Sequence, residues 1–125
     1  MKPHLPACAA ALLLATACAS TPPAPATATD GVLVGANGMT LYTFDKDAAG
    51  SGKSVCSGPC AANWPPLPAA AGATASGAWS VVTRDDGGRQ WAYKGKPLYT
   101  FAKDTKPGDA NGDGVFNGAW HIAKP

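Results

Sequence analysis

The amino-acid sequence is poor in the side chains that most enzymes use to move protons or to attack a substrate. It contains no glutamate, and only two of its 125 residues are histidines, His4 and His121. It has no Gly-x-Ser-x-Gly segment and no His-Glu-x-x-His segment, which excludes two common arrangements of catalytic side chains. The sequence therefore predicts a protein that is not an enzyme.

An excess of charge of one sign is also lacking. The chain carries ten basic and eight acidic residues, for a formal net charge of +2. Removal of Lys2 with the N-terminal signal described below lowers the basic count from ten to nine. So small an excess gives no support to nucleic-acid or polyanion binding, and we expect no nucleic-acid partner.

No apolar run is long enough to span a bilayer, which takes about 20 residues. The longest such stretch, residues 5–17, follows Lys2 and ends in small residues, which predicts a secretory signal peptide over residues 1–17. The segment Leu14-Ala15-Thr16-Ala17-Cys18 resembles the lipobox of bacterial lipoproteins, in which the cysteine becomes acylated after cleavage. The alternative is ordinary cleavage near Ala17 or Ala19, without lipidation.

The lipobox resemblance implies palmitate-like acyl chains on Cys18 and firm attachment to a membrane, since two or three chains hold far better than one. Ala19 follows the cysteine, which in a Gram-negative host is similar to the outer-membrane sorting pattern, with the protein facing the periplasm. Residues 18–30 have no large apolar side chain and are rich in proline, alanine and threonine, so they predict a disordered tether. The folded domain is then expected over residues 31–125.

One seven-residue segment occurs twice in this domain. Residues 41–47 recur as residues 98–104, 57 positions further along, with six of seven residues identical. The similarity extends to a glycine before each copy and a tryptophan after it: Gly38 and Gly95, Trp64 and Trp120. The sequence thus predicts an internal duplication, with repeat 1 over about residues 31–68 and repeat 2 over about residues 79–125.

Both copies read as β-strands, because Leu-Tyr-Thr-Phe is rich in aromatic and β-branched residues. Residues 79–83 and 89–93 flank an Asp-Asp-Gly-Gly turn and predict a hairpin, followed by a second turn at residues 94–96. The one candidate helical turn is residues 60–64, which two prolines end. We expect an all-β fold, a small single domain in which two pseudo-equivalent β repeats share one core.

The spacing of the aromatic and acidic residues carries a family resemblance. Each copy has a tyrosine, an aromatic residue and an aspartate at the same spacing: Tyr42, Phe44 and Asp47, then Tyr99, Phe101 and Asp104. This pattern, with the cysteine pair between the copies, resembles the bacterial secreted-repeat lipoproteins defined by Tyr-x-(Phe/Trp/Tyr)-x-x-Asp. That family has no assigned activity, so the resemblance implies little about function. We hypothesise a binding or interaction module for a small ligand or an envelope partner.

The tyrosines and aspartates of the motif have two interpretations. Their hydroxyl and carboxylate groups could form a polar ligand pocket where the repeats meet. Alternatively, the rings belong to the core, and each aspartate caps the turn that follows its strand by accepting hydrogen bonds from backbone amides. We favour the second interpretation, because buried tyrosine hydroxyls need such a partner in any case.

Cys56 and Cys60 have three interpretations. A structural disulfide is favoured, because an exported chain meets an oxidising compartment and a small core gains from a cross-link. A second is a Cu(I) site of two thiolates completed by His121 or Met39. The third is a redox-active dithiol, although the cysteines lack the Cys-x-x-Cys spacing of thioredoxins.

The segment Asp109-x-Asn111-x-Asp113-Gly114 matches the first half of a calcium-binding loop. Its second half departs from the pattern, because Trp120 stands where a bidentate glutamate belongs. The alternative is a polar turn without an ion.

The leading hypothesis is a non-enzymatic, lipid-anchored binding module that needs no cofactor. A copper or thiol-redox protein comes second and a calcium-stabilised structural lipoprotein third.

Overall fold

The computed structural model describes residues 24–125. The predicted signal peptide at 1–17, the predicted lipidation site Cys18 and the first part of the predicted tether lie outside the described residues. The described part contains seven short strands: β1 Thr27–Thr29, β2 Val32–Val34, β3 Tyr42–Phe44, β4 Trp79–Thr83, β5 Arg89–Tyr93, β6 Lys96–Pro97 and β7 Trp120–Ile122. Two short helical segments, α1 Pro59–Asn63 and α2 Val115–Gly118, interrupt them. The predicted all-β class is confirmed.

Both helical segments are short: α1 has five residues and α2 has four. The helical turn predicted at residues 60–64 is present as α1, one residue earlier than predicted, because Pro59 begins it. α2 is a left-handed turn, because Phe116 and Asn117 inside it both have φ of 55°. Within residues 24–125 no helix is long and apolar enough to cross a membrane.

The expected start of the folded domain at residue 31 is wrong by a few residues. β1 pairs antiparallel with β2, so that Thr27 lies opposite Val34. Ala26, just before β1, is only 6% exposed and belongs to the same buried cluster as Leu33 and Leu41. The tether composition misled because threonine suits a short strand whose side chains are exposed, as those of β1 are.

The predicted hairpin is present. β4 and β5 pair antiparallel from Trp79 opposite Tyr93 to Thr83 opposite Arg89. A second tight turn then leads into β6, and its central residues Lys94 and Gly95 both have positive φ, 52° and 81°. Two such residues in a two-residue connection are typical of a type I′ turn, which matches the twist of antiparallel strands.

The two repeats are joined by exchanged strand pairing. Tyr42 and Tyr99 lie at the centre, where the amide of each donates to the carbonyl of the other at 2.8 and 3.0 Å. β3 of repeat 1 pairs with β7, the last strand of repeat 2. Reciprocally, Thr100 and Ala102 of repeat 2 donate to carbonyls of residues 65 and 63 in repeat 1, both at 2.8 Å. Each motif strand is therefore completed by the closing segment of the other repeat.

Two clusters of buried side chains form the core. One is aliphatic and consists of Ala26, Leu33, Leu41, Leu98 and Ala123. The other is mainly aromatic and consists of Tyr42, Cys56, Trp64, Tyr99 and Trp120. Both clusters contain residues from both repeats, which confirms the prediction of two β units that share one core.

Candidate functional site

Four aromatic rings form a continuous stack in the middle of the molecule. The rings of Trp64 and Trp120 lie 3.7 Å apart and are nearly parallel, with an interplanar angle of 3°. Phe101 stacks on the outer face of Trp64 at 4.1 Å, and Phe44 stacks on that of Trp120 at 4.2 Å. Each phenylalanine thus packs on the tryptophan of the other repeat, and separating the repeats would expose all four rings.

The tyrosine–aspartate pairs also cross between repeats. The Tyr42 hydroxyl of repeat 1 donates to Asp104 of repeat 2 at 2.6 Å, and the Tyr99 hydroxyl of repeat 2 donates to Asp47 of repeat 1 at 2.5 Å. Burial, together with the neighbouring carboxylate, raises the pKa of both tyrosines. Burial also raises the pKa of Asp47, although its hydrogen bonds act in the opposite direction.

Each aspartate uses its second oxygen to hold the loop that follows its own strand. Asp47 accepts the amide of Val55 at 2.7 Å, and Asp104 accepts the amide of Asn111 at 3.0 Å. Both tyrosines are 0% exposed, so these groups belong to the core and do not form an open ligand pocket. The structure therefore agrees with the favoured interpretation and adds that each aspartate also joins the repeats.

Residues 48–63, here called the cysteine loop, contain the predicted disulfide. Cys56 and Cys60 are bonded to each other at 2.03 Å, with Cα atoms 5.2 Å apart. The copper hypothesis is not supported, because both sulfurs are used in this bond. His121 lies on β7 and contacts Asp45 at 2.9 Å, while Met39 lies in the turn at Asn37. Within residues 24–125 no three histidine, cysteine or acidic side chains are grouped as a metal site.

A buried arginine ties the cysteine loop to the β4–β5 hairpin. Arg84 is 6% exposed and donates to the Gln90 side chain at 2.8 Å, to the Ser54 hydroxyl at 2.9 Å and to the Cys56 carbonyl at 2.5 Å. The Ser54 hydroxyl in turn contacts the Tyr99 hydroxyl at 2.6 Å. Sequence reasoning missed this network, because Arg84 stands next to the acidic residues of a surface turn and reads as part of it.

Residues 105–119, here called the aspartate loop, contain the calcium-like segment, but its side chains do not converge. The Asp109 carboxylate accepts the amide of Thr105 at 2.9 Å and the Lys106 ammonium at 2.6 Å. Asp113 accepts the amide of Ile122 at 3.2 Å, and Asn111 donates to Asp104. The Lys106 hydrogen bond lowers the pKa of Asp109 to about 2. This geometry is that of a polar turn.

A cleft of about 320 Å³ opens on the surface between β3, the β5–β6 turn and the C-terminal segment. Its apolar lining comes from the buried Leu98 and Ala123 and the half-buried Tyr93 and Ile122, with Thr43 at one side. Exposed basic side chains line it as well: Lys94, Lys96, His121 and Lys124. Sequence reasoning did not find this cleft, because three segments far apart in the chain form it.

Comparison with known proteins gives one match. A family model described as a secreted repeat of unknown function matches the chain twice, at residues 24–68 and 80–124. No curated protein and no solved structure matches it. The two matched ranges correspond to the two β units, and the first range includes β1. The chain therefore belongs to the Lipoprotein_15 family of secreted repeats of unknown function.

Proposed function

We propose that this protein is a lipid-anchored, non-enzymatic module of the cell envelope that binds a small ligand in the cleft between β3, the β5–β6 turn and the C-terminal segment. The observation that supports this proposal is the cleft itself. Concave sites with an apolar lining and a few polar groups are the usual form of small-ligand sites in proteins. The cleft combines buried aliphatic side chains with exposed basic ones.

The tyrosines and aspartates of the repeated motif contact one another in the core and are not part of the cleft. Tyr42, Tyr99, Asp47 and Asp104 are occupied by one another inside the core. The two sulfurs of the cysteine loop are bonded to each other. The tyrosine–aspartate contacts join the two repeats, and a site that is already formed favours binding because little conformational entropy is lost when a ligand occupies it.

The family description supports secretion, and the lipobox-like sequence before Cys18 supports anchoring. Residues 19–26 separate Cys18 from β1 and can reach at most about 30 Å when fully extended. In this arrangement the domain stays close to the membrane surface. Cys18→Ala should move the protein from the membrane fraction to the soluble fraction of cells. A membrane-bound Cys18→Ala variant would contradict the lipid anchor and leave the binding proposal intact.

The binding proposal is tested by NMR with a library of small soluble compounds. The exported protein with Cys18→Ser carries no acyl chains, and this change lies outside the described domain. We expect hits whose shift changes concentrate on the amides of Thr43, Leu98 and Ile122. Thr43→Trp, which places a large ring in the cleft, should remove them. Thr100→Trp is the matched control, because Thr100 holds the equivalent position in the second repeat. Hits that persist in Thr43→Trp would contradict binding at this site.

A further inference from the structure

We propose that the cleft binds an anion carried on a small apolar group, that is, an aryl or short alkyl carboxylate or phosphate. This inference rests on the proposed function and names the ligand class for that site. Lys94, Lys96 and Lys124 place three ammonium groups around an apolar surface that includes Leu98 and Ile122. An anionic headgroup would meet the ammonium groups while its apolar part covers the aliphatic side chains.

The permanently charged side chains that line the cleft are all lysines. No carboxylate is among its lining residues. In residues 24–125 the ion pairs involve other basic groups, so that Lys94, Lys96 and Lys124 have no acidic partner within 4.0 Å. Asp45 is the acidic residue that contacts the site, and it is paired with His121 at 2.9 Å. The three lysines are therefore available to an incoming anion.

The fold does not require two of the basic residues, as the first repeat shows. The amide of Ala123 donates to Leu41 at 2.8 Å, and the amide of Leu67 donates to Leu98 at 2.9 Å, so residues 121–124 and 65–68 hold equivalent places. Pro65 and Pro68 hold the places in repeat 1 that His121 and Lys124 hold in repeat 2. Because prolines serve the same backbone pairing, His121 and Lys124 are not needed for it.

Lys94 occupies a backbone position that is unfavourable for lysine. Its φ is 52°, in the left-handed region, where a type I′ turn prefers asparagine or glycine. Its ammonium group lies 5.4 Å from the centre of the Tyr93 ring, which also lines the cleft. In the other repeat Asn37 precedes the equivalent glycine, Gly38, without the left-handed φ that Lys94 has. A lysine at this site therefore brings a charge to the cleft at some cost in backbone energy.

The size of the cleft limits the apolar part of the ligand. A volume of about 320 Å³ is near the lower end of the range for small-molecule sites. A single ring or a short chain with its headgroup fits this volume, whereas a dinucleotide or an oligosaccharide does not. Phenyl phosphate is therefore a suitable anionic probe, and benzyl alcohol is a neutral probe with the same ring.

The experiment measures both probes by ligand-observed saturation-transfer NMR, with the mature lipidated protein in phosphatidylcholine nanodiscs. We expect phenyl phosphate to bind about ten-fold more tightly than benzyl alcohol at low salt, from several exposed charges acting together. The difference should shrink at about 1 M salt, where the screening length falls to about 3 Å. Equal affinities at low salt would overturn the inference while leaving a small-ligand site in place. If neither probe nor any library compound binds the cleft, the proposed function fails as well.

Lys94→Asn tests the role of charge directly, because asparagine suits the left-handed turn at least as well as lysine. Its affinity for phenyl phosphate should fall about two- to five-fold, while its stability stays equal or rises. Lys53→Asn, at an exposed lysine of the cysteine loop, is the matched control and should bind as the wild type does. Equal behaviour of the two variants would overturn the inference.

A second arm distinguishes a free anion from the headgroup of a membrane lipid. The same titration is repeated in nanodiscs that contain phosphatidylglycerol. Undiminished binding of phenyl phosphate supports a free anion as the ligand. If a lipid phosphate occupies the cleft, the wild type should lose its binding of phenyl phosphate in these discs. The Lys94→Asn variant should then have the same residual affinity for phenyl phosphate in both disc types.

Discussion

The cysteine loop and the aspartate loop begin and end alike but are held by different chemistry. Each starts after a buried aspartate, Asp47 or Asp104, and each ends at one of the two stacked tryptophans. The cysteine loop is closed by a disulfide and fastened by Arg84. The aspartate loop instead has a close glycine contact, a left-handed turn and an exposed ion pair.

This difference teaches that the frame and the loops have separate requirements. The frame needs the tyrosine, the aspartate and the tryptophan in both copies, because each of these side chains contacts the other repeat. The loops need only to return the chain to the tryptophan. The amide of Val55 donates to Asp47, and the amide of Asn111 donates to Asp104. The next residues, Cys56 and Gly112, therefore hold equivalent positions although they are chemically unrelated.

The largest expected effect is at Gly112 in the aspartate loop. A Cβ atom there would lie 2.5 Å from the ring of Trp64, far inside van der Waals contact. Gly112→Ala should lower the free energy of unfolding by about 2–3 kcal/mol, because the ring must leave its place in the stack. Gly72→Ala is the control, since a Cβ there meets nothing within 4 Å. Urea unfolding of both variants measures the effect, and similar values for the two would contradict this account.

The disulfide ranks next. Replacing Cys56 and Cys60 together by serine should cost about 2 kcal/mol, the loop-closure value for so short a ring. The cost should fall on the cysteine loop, so the amides of residues 48–63 should lose hydrogen-exchange protection while those of residues 105–119 keep it. A reducing agent should have the same effect on the wild type. Uniform loss of protection in both loops would show that the two are not independent.

The sequence predicted the features that depend on local pattern. The duplicated segment identified both motif strands, and the Asp-Asp-Gly-Gly turn located the hairpin. The presence of two nearby cysteines in a small, exported chain predicted the disulfide. These features depend on residues that are near one another along the chain, or on a direct comparison of two segments.

The features that were missed depend on contacts between distant segments. The motif does not say whether Tyr42 pairs with Asp47 or with Asp104, because both arrangements satisfy the same hydroxyl. The choice follows from the pairing of each motif strand with the closing segment of the other repeat. No periodic pattern in the sequence predicts that pairing. The basic cleft was missed for the same reason, since Lys94 and Lys124 come together only after the repeats have paired.

A smaller effect is expected at Asp47. Asp47→Asn loses the ionised acceptor of Tyr99 but also avoids the cost of a buried charge, so a net loss of about 1 kcal/mol is expected at neutral pH. Because the pKa of Asp47 is raised in the folded state, folding favours its protonated form. Its contribution to stability is therefore greatest below its unfolded pKa and declines as pH rises through its folded pKa. In unfolding titrations, the difference in stability between wild type and Asp47→Asn should be smallest at neutral pH and above and should grow on acidification.

The smallest effect on stability is expected at Asp109, and its dependence on pH is opposite to that at Asp47. The Lys106 hydrogen bond lowers the pKa of Asp109 to about 2, so the ionised form is the one that folding favours. Its contribution is present above the unfolded pKa and is lost as pH falls through about 2. Asp109→Asn should thus be slightly less stable than the wild type near neutral pH and equal to it in strong acid. Because Lys106 is exposed, added salt should shrink the difference further. If Asp47→Asn and Asp109→Asn instead showed the same pH dependence, the distinction between a buried frame carboxylate and a loop carboxylate paired with an exposed lysine would be lost.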